Sequence, residues 1–372
     1  MEPAWTVGLM TGTVLDGNID VALLRSDGVR VTEFGRYTLA PYDRETRDLL
    51  AECLSAARAW AFDGPEPELF AVAEDRITRA QAEAVRTLVA EAGLSMDDIA
   101  AVGFHGQTVL HRAPEPGRLG RTRQLGDGAL MAGILGTTVV YDFRSGDMAA
   151  GGQGAPLSAV FHGALLDDLG ASDGTAVLNL GGVANVTARD PSGALIAFDT
   201  GPANAPINDL VAHLGLGEMD RGGQLAAAGQ VDEARLRSRL DHAYLARPYP
   251  KSLDRFDFGY EWALDLSPED GAATLTAFTA AAVGRGLDLL PERPTRLIVC
   301  GGGRHNPTLL RMLEDYAGVR VDQAEDVGWQ GDAIEAQCFA FLALRRLRDL
   351  PATFPGTTGV SDPMTAGCIA GG

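Results

Sequence analysis

One pattern that occurs twice constrains this chain more than any other feature. Near the N-terminus an apolar run, Trp5–Met10, enters a small polar loop, Thr11–Gly17, then come Ile19–Arg25, a Ser26-Asp27-Gly28 turn and Val29–Leu39. Farther along the order returns as Thr175–Leu180, the pair Gly181-Gly182, Val183–Ala188, an Asp190-Pro191-Ser192-Gly193 turn and Ala194–Phe198. Apolar runs of strand length punctuated by Gly, Asx and Ser predict β-meanders. The chain therefore reads as a degenerate internal repeat, and each half opens with a meander that carries a glycine loop.

Helical periodicity then alternates with short strands in both halves. The first half shows helices over about Tyr42–Ala61 and Glu66–Ala92, a strand Ile99–Phe104 ending at His105-Gly106, and a strand Gly136–Tyr141. The second shows helices through Pro206–Leu214, Gln230–Leu245 and Gly271–Leu290, strands Thr295–Val299 and Val319–Val321, and an apolar helix over Asp332–Arg348. Since single cores stop growing near roughly 250–300 residues, 372 residues agree with two α/β domains. We place them at 1–170 and 171–372, with the small polar stretch 171–174 as the boundary and the terminal helix free to pack back on the first domain.

Charge narrows the partners. With 31 Lys+Arg against 50 Asp+Glu, the net charge of -19 repels nucleic acid and anionic lipid surfaces. A small anionic substrate remains compatible, because Arg, backbone N–H groups or Mg²⁺ override the average field locally. Cys53, Cys300, Cys338 and Cys368 form no CxxC pair, which fits a reducing cytoplasm. There is no signal-peptide pattern and no apolar stretch of membrane-spanning length. The only lysine, Lys251, follows Arg247-Pro248-Tyr249-Pro250, so a Walker A loop is excluded. Protein-kinase signatures, a Gly-x-Ser-x-Gly elbow and a His-Glu-x-x-His helix are also missing.

Several segments carry chemistry, each with a plainer structural explanation beside it. In the first loop, Thr11, Gly12, Thr13, Asp16 and Gly17 supply hydroxyls and flexible glycines suited to close phosphate approach, and Asp16 is placed to hold Mg²⁺ through water. A simple Asp-Gly hairpin turn explains the same residues equally well. Asn179, Gly181 and Gly182 stand at the matching hairpin, and Asp199 with Thr200 ends the strand before Gly201, where capping by Asn204 explains part of the pattern. Gly301, Gly302 and Gly303 make a strand-to-helix turn without side chains, closed by Asn306-Pro307 as N-cap and first-turn proline. Such a turn admits a purine plane or simply a tight crossing.

Asp142 lies just past a buried strand, where α/β proteins place chemistry. It is the general-base candidate, with an Asp142–Arg144 ion pair as the structural alternative. Glu335 stands three residues after Asp332, the spacing of a capping pair. His105, Gln107 and Thr108 are suited to a polyol ligand, although a strand-end histidine is often satisfied locally.

Paired α/β halves with glycine hairpins resemble the actin-like ATPase and sugar-kinase superfamily. The whole series resembles one family within it, the anhydro-N-acetylmuramic acid kinases. The match includes Gly8–Gly17, Gly103–Thr108, Gln124–Gly128, Asp142-Phe143-Arg144, Gly151–Pro156, Leu178–Asn185, Phe198–Asn204, Pro250-Lys251-Ser252, Cys300–Pro307 and Gly331–Ala336. Thr11 and Val14 stand where serines are usual, Ala203 replaces a glycine, and Leu253, Asp254 and Phe256 depart from the usual continuation after Lys251-Ser252.

The resemblance implies two actin-like, ribonuclease H-like domains flanking a nucleotide and sugar cleft, with ATP and Mg²⁺ as cofactors. It implies hydrolytic opening of an anhydro amino sugar with phosphorylation at O6, in a cytoplasmic homodimer that recycles peptidoglycan. Asp142 then activates water and Glu335 contacts the sugar. His105, Gln107, Thr108, Arg144 and Gln153 bind substrate, and Asp16 and Asp199 hold the metal. The nucleotide falls to Thr11, Gly12, Thr13, Asp16, Gly17, Asn179, Gly181, Gly182, Asp199, Gly301, Gly302, Gly303 and Asn306. The competing readings are a kinase of another amino sugar and a non-catalytic ATP- or sugar-sensing module. A sensor is expected to lose its base or phosphate loops, and both are present.

Overall fold

The computed structural model describes residues 1–372 except Thr13, Val14, Asp16, Pro116, 171–173 and Gly372. The chain divides into two compact units, Met1–Asp168 with Ala333–Gly372, and Leu169–Asp332.

In the first unit β1 (Ala4–Thr11), β2 (Asn18–Ser26) and β3 (Val31–Pro41) form an antiparallel meander. β4 (Ile99–Arg112) runs parallel to β1, β5 (Arg121–Leu125) folds back on the far half of β4, and β6 (Val139–Tyr141) lies parallel to β4. A last strand, Cys368–Ala370, pairs antiparallel with β6. The order is thus β3-β2-β1-β4-β6.

Alternation along β1 explains its two-sided burial. Val7 and Leu9 join Ile19, Val21, Val85 and Leu88 in one core cluster, each such side chain contributing about 1.5–3 kcal/mol when fully buried. Gly8, on the other face, lies against the helix Ile334–Leu347, and a Cβ there would stand 1.7 Å from the Ala336 carbonyl oxygen. Gly103 on β4 repeats the arrangement, its missing Cβ leaving room for the Phe339 carbonyl at 2.0 Å. Glycine at both positions lets the helix backbone rest directly on the sheet.

The second unit repeats the order. β7 (Thr175–Leu180), β8 (Val183–Arg189) and β9 (Leu195–Pro202) form the meander; β10 (Arg296–Cys300) is parallel to β7 and β11 (Arg320–Gln323) parallel to β10. This gives β9-β8-β7-β10-β11, the same sequence of strand senses as in the first unit, so both are mixed α/β layers of the ribonuclease H-like kind. β7 is buried at every residue, as a central strand covered on both faces should be. Its cover includes the helix Pro268–Leu287, which Ser267 caps by accepting from the Asp270 N–H and which starts with proline.

Three local expectations change. The strand read as ending at Phe104 continues to Arg112 because β5 supplies hydrogen-bond partners beyond Gln107; Gly106, at φ +73°, takes the irregular step. The helix expected over Gln230–Leu245 divides into Glu233–Leu240 and Ala243–Ala246, each with its own cap, Asp232 and His242. Asn204 does not cap its helix: it is the first helical residue, and its amide donates to the Leu180 and Gly181 carbonyls at 3.0 and 2.9 Å.

Candidate active site

In the first unit, the parallel register sets Thr11 beside Gln107 and Phe104 beside Tyr141. Sequence-selected residues therefore meet where β1 and β6 end, the edge at which α/β sheets present chemistry. Thr11 is buried and its hydroxyl donates to the Gly106 carbonyl at 3.2 Å. Gln107 is fully buried; its amide nitrogen donates to the carbonyls of Gly12 and Thr108 at 3.1 and 3.2 Å, so its carbonyl oxygen is left as the acceptor end. Thr108 accepts from Gln124 at 3.2 Å. Gly17 receives the Tyr42 N–H at 3.0 Å. Thr13 and Asp16 lie outside the described residues.

Asp142 sits directly after β6 with φ +49°, a left-handed conformation that costs a non-glycine residue about 1–2 kcal/mol. Its Oδ1 accepts the Ser145 N–H at 3.2 Å. It lines a polar cavity of about 360 Å³ with Glu74, Phe104, His105, Gln124 and Tyr141. Burial raises the Tyr141 phenol pKa, with Cys368 and then the Asp142 and Asp127 carboxylates adding to the effect.

Arg144 turns to His105, its Nη2 standing 3.0 Å from His105 Nε2, while its Nη1 donates to the Gly154 carbonyl at 2.7 Å. Burial, then the Arg144 charge, holds the His105 pKa well below the ordinary histidine value. The ring is therefore neutral, and Nε2, which receives from a guanidinium, is its acceptor nitrogen. The other side of the ring packs on Phe339, with centroids 4.6 Å apart. Gln153 follows in the next loop, where its N–H donates to the Thr358 carbonyl at 2.7 Å.

Asp147 is what fixes that loop. It is 1% exposed, and its carboxylate accepts from Gly154 N–H at 2.7 Å and Thr358 Oγ1 at 2.6 Å. Sequence reasoning passed over this residue, although the polar run after Asp142 contains it and a glycine loop needs an anchor. Glu335 is half-buried in the first turn of the helix Ile334–Leu347. The Cys338 thiol, one turn on, is driven upward in pKa by burial and then by the Glu335 charge.

In the second unit the selected residues again gather at the C-terminal edge, where Asn179 pairs with Cys300 across β7 and β10. The Gly181 carbonyl accepts from Asn204 N–H, and the Gly182 carbonyl from the N–H groups of Ala203 and Ala205. The turn's carbonyl oxygens are thus engaged within the protein. Gly301 adopts φ +76° with Asn179 Oδ1 2.4 Å from where a Cβ would stand, and Gly303 lies against the Leu180 side chain. Gly302 meets nothing within 4 Å of its own Cβ position. Asn306 caps the following helix, accepting the Leu309 N–H at 2.9 Å.

Arg304 buttresses the turn. It is 2% exposed, bridges to Glu325 at 2.9 Å and Asp332 at 2.8 Å, and donates to the Gly301 carbonyl at 3.1 Å. The expected Asp332–Glu335 capping pair does not form, because the Asp332 carboxylate goes to Arg304 and His305. Burial pushes the Asp332 pKa upward, but the His305 and Arg304 hydrogen bonds outweigh it and hold it below the ordinary value.

Asp199 is 5% exposed and accepts the Leu253 N–H on Oδ2 at 2.8 Å. Burial lowers the pKa of its neighbour Lys251 to about 8, against the opposing pull of Asp199. Among the described residues no group of three His, Cys, Asp or Glu stands together for a metal. Mg²⁺ does not require one, because it usually keeps water and binds through one or two carboxylates plus substrate phosphates. Asp199 fits that sparse demand. Among the described residues, no helix is long and apolar enough to cross a membrane.

These paired glycine-bearing edges agree with the comparisons. The family model described as anhydro-N-acetylmuramic acid kinase matches residues 4–371. Anhydro-N-acetylmuramic acid kinase 2 of Jannaschia sp. (strain CCS1) is 73% identical over 368 residues, covering 99% of this chain and 97% of that protein. The anhydro-N-acetylmuramic acid kinase of Rhizobium rhizogenes is 65% identical over 370 residues, with 100% of each chain covered. That of Caulobacter vibrioides is 47% identical over 365 residues, with 98% of each covered. On a match that runs nearly end to end, this chain belongs to the anhydro-N-acetylmuramic acid kinase family.

Proposed function

We propose that the chain uses ATP and water to convert 1,6-anhydro-N-acetylmuramic acid into N-acetylmuramic acid 6-phosphate and ADP. Family membership carries the substrate, and the observation that carries the chemistry is Asp142, held in a left-handed conformation on a polar cavity at a strand end. The Ser145 N–H fixes Oδ1, which leaves Oδ2 to serve as the base. Asp142 takes a proton from that water, whose oxygen bonds to C1 as the C1–O6 bond breaks. O6 accepts the γ-phosphoryl group as its negative charge develops, and the pairing of the two events avoids a free alkoxide.

Glu335, His105, Gln107, Thr108, Arg144 and Gln153 make the sugar side in this reading. His105 acts mainly by holding Arg144, since its ring is buried. The carbonyl oxygen of Gln107 accepts from a sugar hydroxyl or N–H. The nucleotide belongs to Thr11, Gly12, Gly17, Asn179, Gly181, Gly182, Gly301, Gly302, Gly303 and Asn306, together with Thr13 and Asp16 of the undescribed stretch. Mg²⁺ neutralises phosphate charge when bound, with Asp16 and Asp199 as its carboxylate contacts. Four free cysteines suit a cytoplasmic enzyme.

Asp142→Asn preserves shape and removes basicity. Turnover of the anhydro sugar is expected to fall roughly 10²–10⁴-fold while ATP affinity stays near wild type. A near-normal Asn variant would remove Asp142 from the mechanism.

A further inference from the structure

The chain's single lysine is placed where a core would ordinarily hold an aliphatic side chain. Lys251 is 0% exposed, and its Nζ donates to the carbonyls of Tyr244 and Leu245 at 3.0 and 3.3 Å. The ammonium also lies 4.5 Å from the Tyr244 ring centroid and 5.5 Å from that of Phe198. Taking an ammonium out of water without a directly paired carboxylate is costly. Its presence needs a reason other than stability.

The backbone around it supplies one. The Asp199 N–H donates to the Lys251 carbonyl at 3.1 Å, and the Leu253 N–H donates to Asp199 Oδ2 at 2.8 Å. Tyr244, whose carbonyl holds the ammonium, also donates its hydroxyl to the Asp199 carbonyl at 2.7 Å. Lys251, Tyr244, Asp199 and Leu253 therefore close a ring of hydrogen bonds around one buried carboxylate. Farther along, Arg255 reaches Asp209 at 2.8 Å and ties the same segment to the helix Asn204–His213.

We propose that Lys251 is a positioning residue: its ammonium pins the Tyr244–Leu245 carbonyls to the 251–253 segment and thereby fixes the direction of the Asp199 carboxylate. This rests on the reading of Asp199 as a nucleotide-side group. Leu253, which departs from the family pattern, takes part only through its backbone N–H, and this explains why its side chain is free to vary.

The test uses the full chain with Lys251→Met, Asp199→Asn and the double variant. Hydrogen exchange is followed in the segment 250–257 without ligand, and kcat and the ATP KM are followed with substrates. Lys251→Met is expected to raise exchange in that segment about 10-fold or more while the β7 segment keeps wild-type protection. It should lower kcat by about 10-fold or more, and the double variant should lose no more than Asp199→Asn alone. Unchanged exchange at 250–257, or losses that multiply in the double variant, would overturn the proposal. If Lys251→Met does not fold, exchange in Tyr244→Phe decides, since loss of the hydroxyl that ties Tyr244 to the Asp199 carbonyl must loosen 250–257 for the ring to be real. A wild-type chain that turns over no anhydro sugar sinks the proposed function, whereas the exchange result judges Lys251 by itself.

Discussion

At the residue scale, three neighbouring glycines are held for different reasons. Gly301 has a positive φ and Asn179 against it, Gly303 packs on Leu180, and Gly302 is open. Gly301→Val is therefore expected to damage folding, whereas Gly302→Val should fold normally and weaken ATP, since the added methyls enter only space meant for a ligand. Calorimetric titration with ATP separates the two, and wild-type affinity in a folded Gly302→Val chain would contradict the nucleotide assignment. Arg304 is tied to the same turn. Its replacement by Met removes bonds to two half-exposed carboxylates, so a loss of about 1–3 kcal/mol in denaturant unfolding is expected rather than the larger cost of stranding a buried charge.

At the element scale, the two meanders were legible because each is written locally, in apolar runs and Gly or Asx punctuation. The extension of β4 was not, since it depends on β5 pairing back across a loop. Asp332 carried the spacing of a capping residue, yet its partners Arg304 and His305 come from another turn that no local spacing reveals. Gly8 and Gly103 open two of the segments that match the family, and the fold uses both to seat a helix. Gly8→Ala drives a methyl into helix backbone, which cannot swing aside as a side chain does. A destabilisation of about 1–3 kcal/mol or more is expected in denaturant unfolding. A Gly8→Ala chain as stable as wild type would show that the helix does not rest there.

At the scale of the whole molecule, acid is expected to act first on the unit that carries Asp142. His105 and His162 are buried there and His111 is half-buried with its ring turned inward, and His111 and His162 are pushed down to about 3 from the ordinary 6.5, by burial above all. The unfolded chain binds protons at these sites that the folded chain refuses. The stability is therefore complete above about pH 6.5 and is lost as pH falls from there towards 3, by up to about 1.4 kcal/mol per pH unit for each histidine. Denaturant unfolding at pH 7, 6 and 5 checks this, and equal stability at all three would contradict it. Function rests on one order of events, in which water and not a sugar hydroxyl is deprotonated. Turnover of ATP and 1,6-anhydro-N-acetylmuramic acid in ¹⁸O-labelled water reads that order directly by mass spectrometry of the product. The heavy oxygen should appear at C1 and be absent from the phosphate; label in the phosphate, or none at C1, would contradict the account.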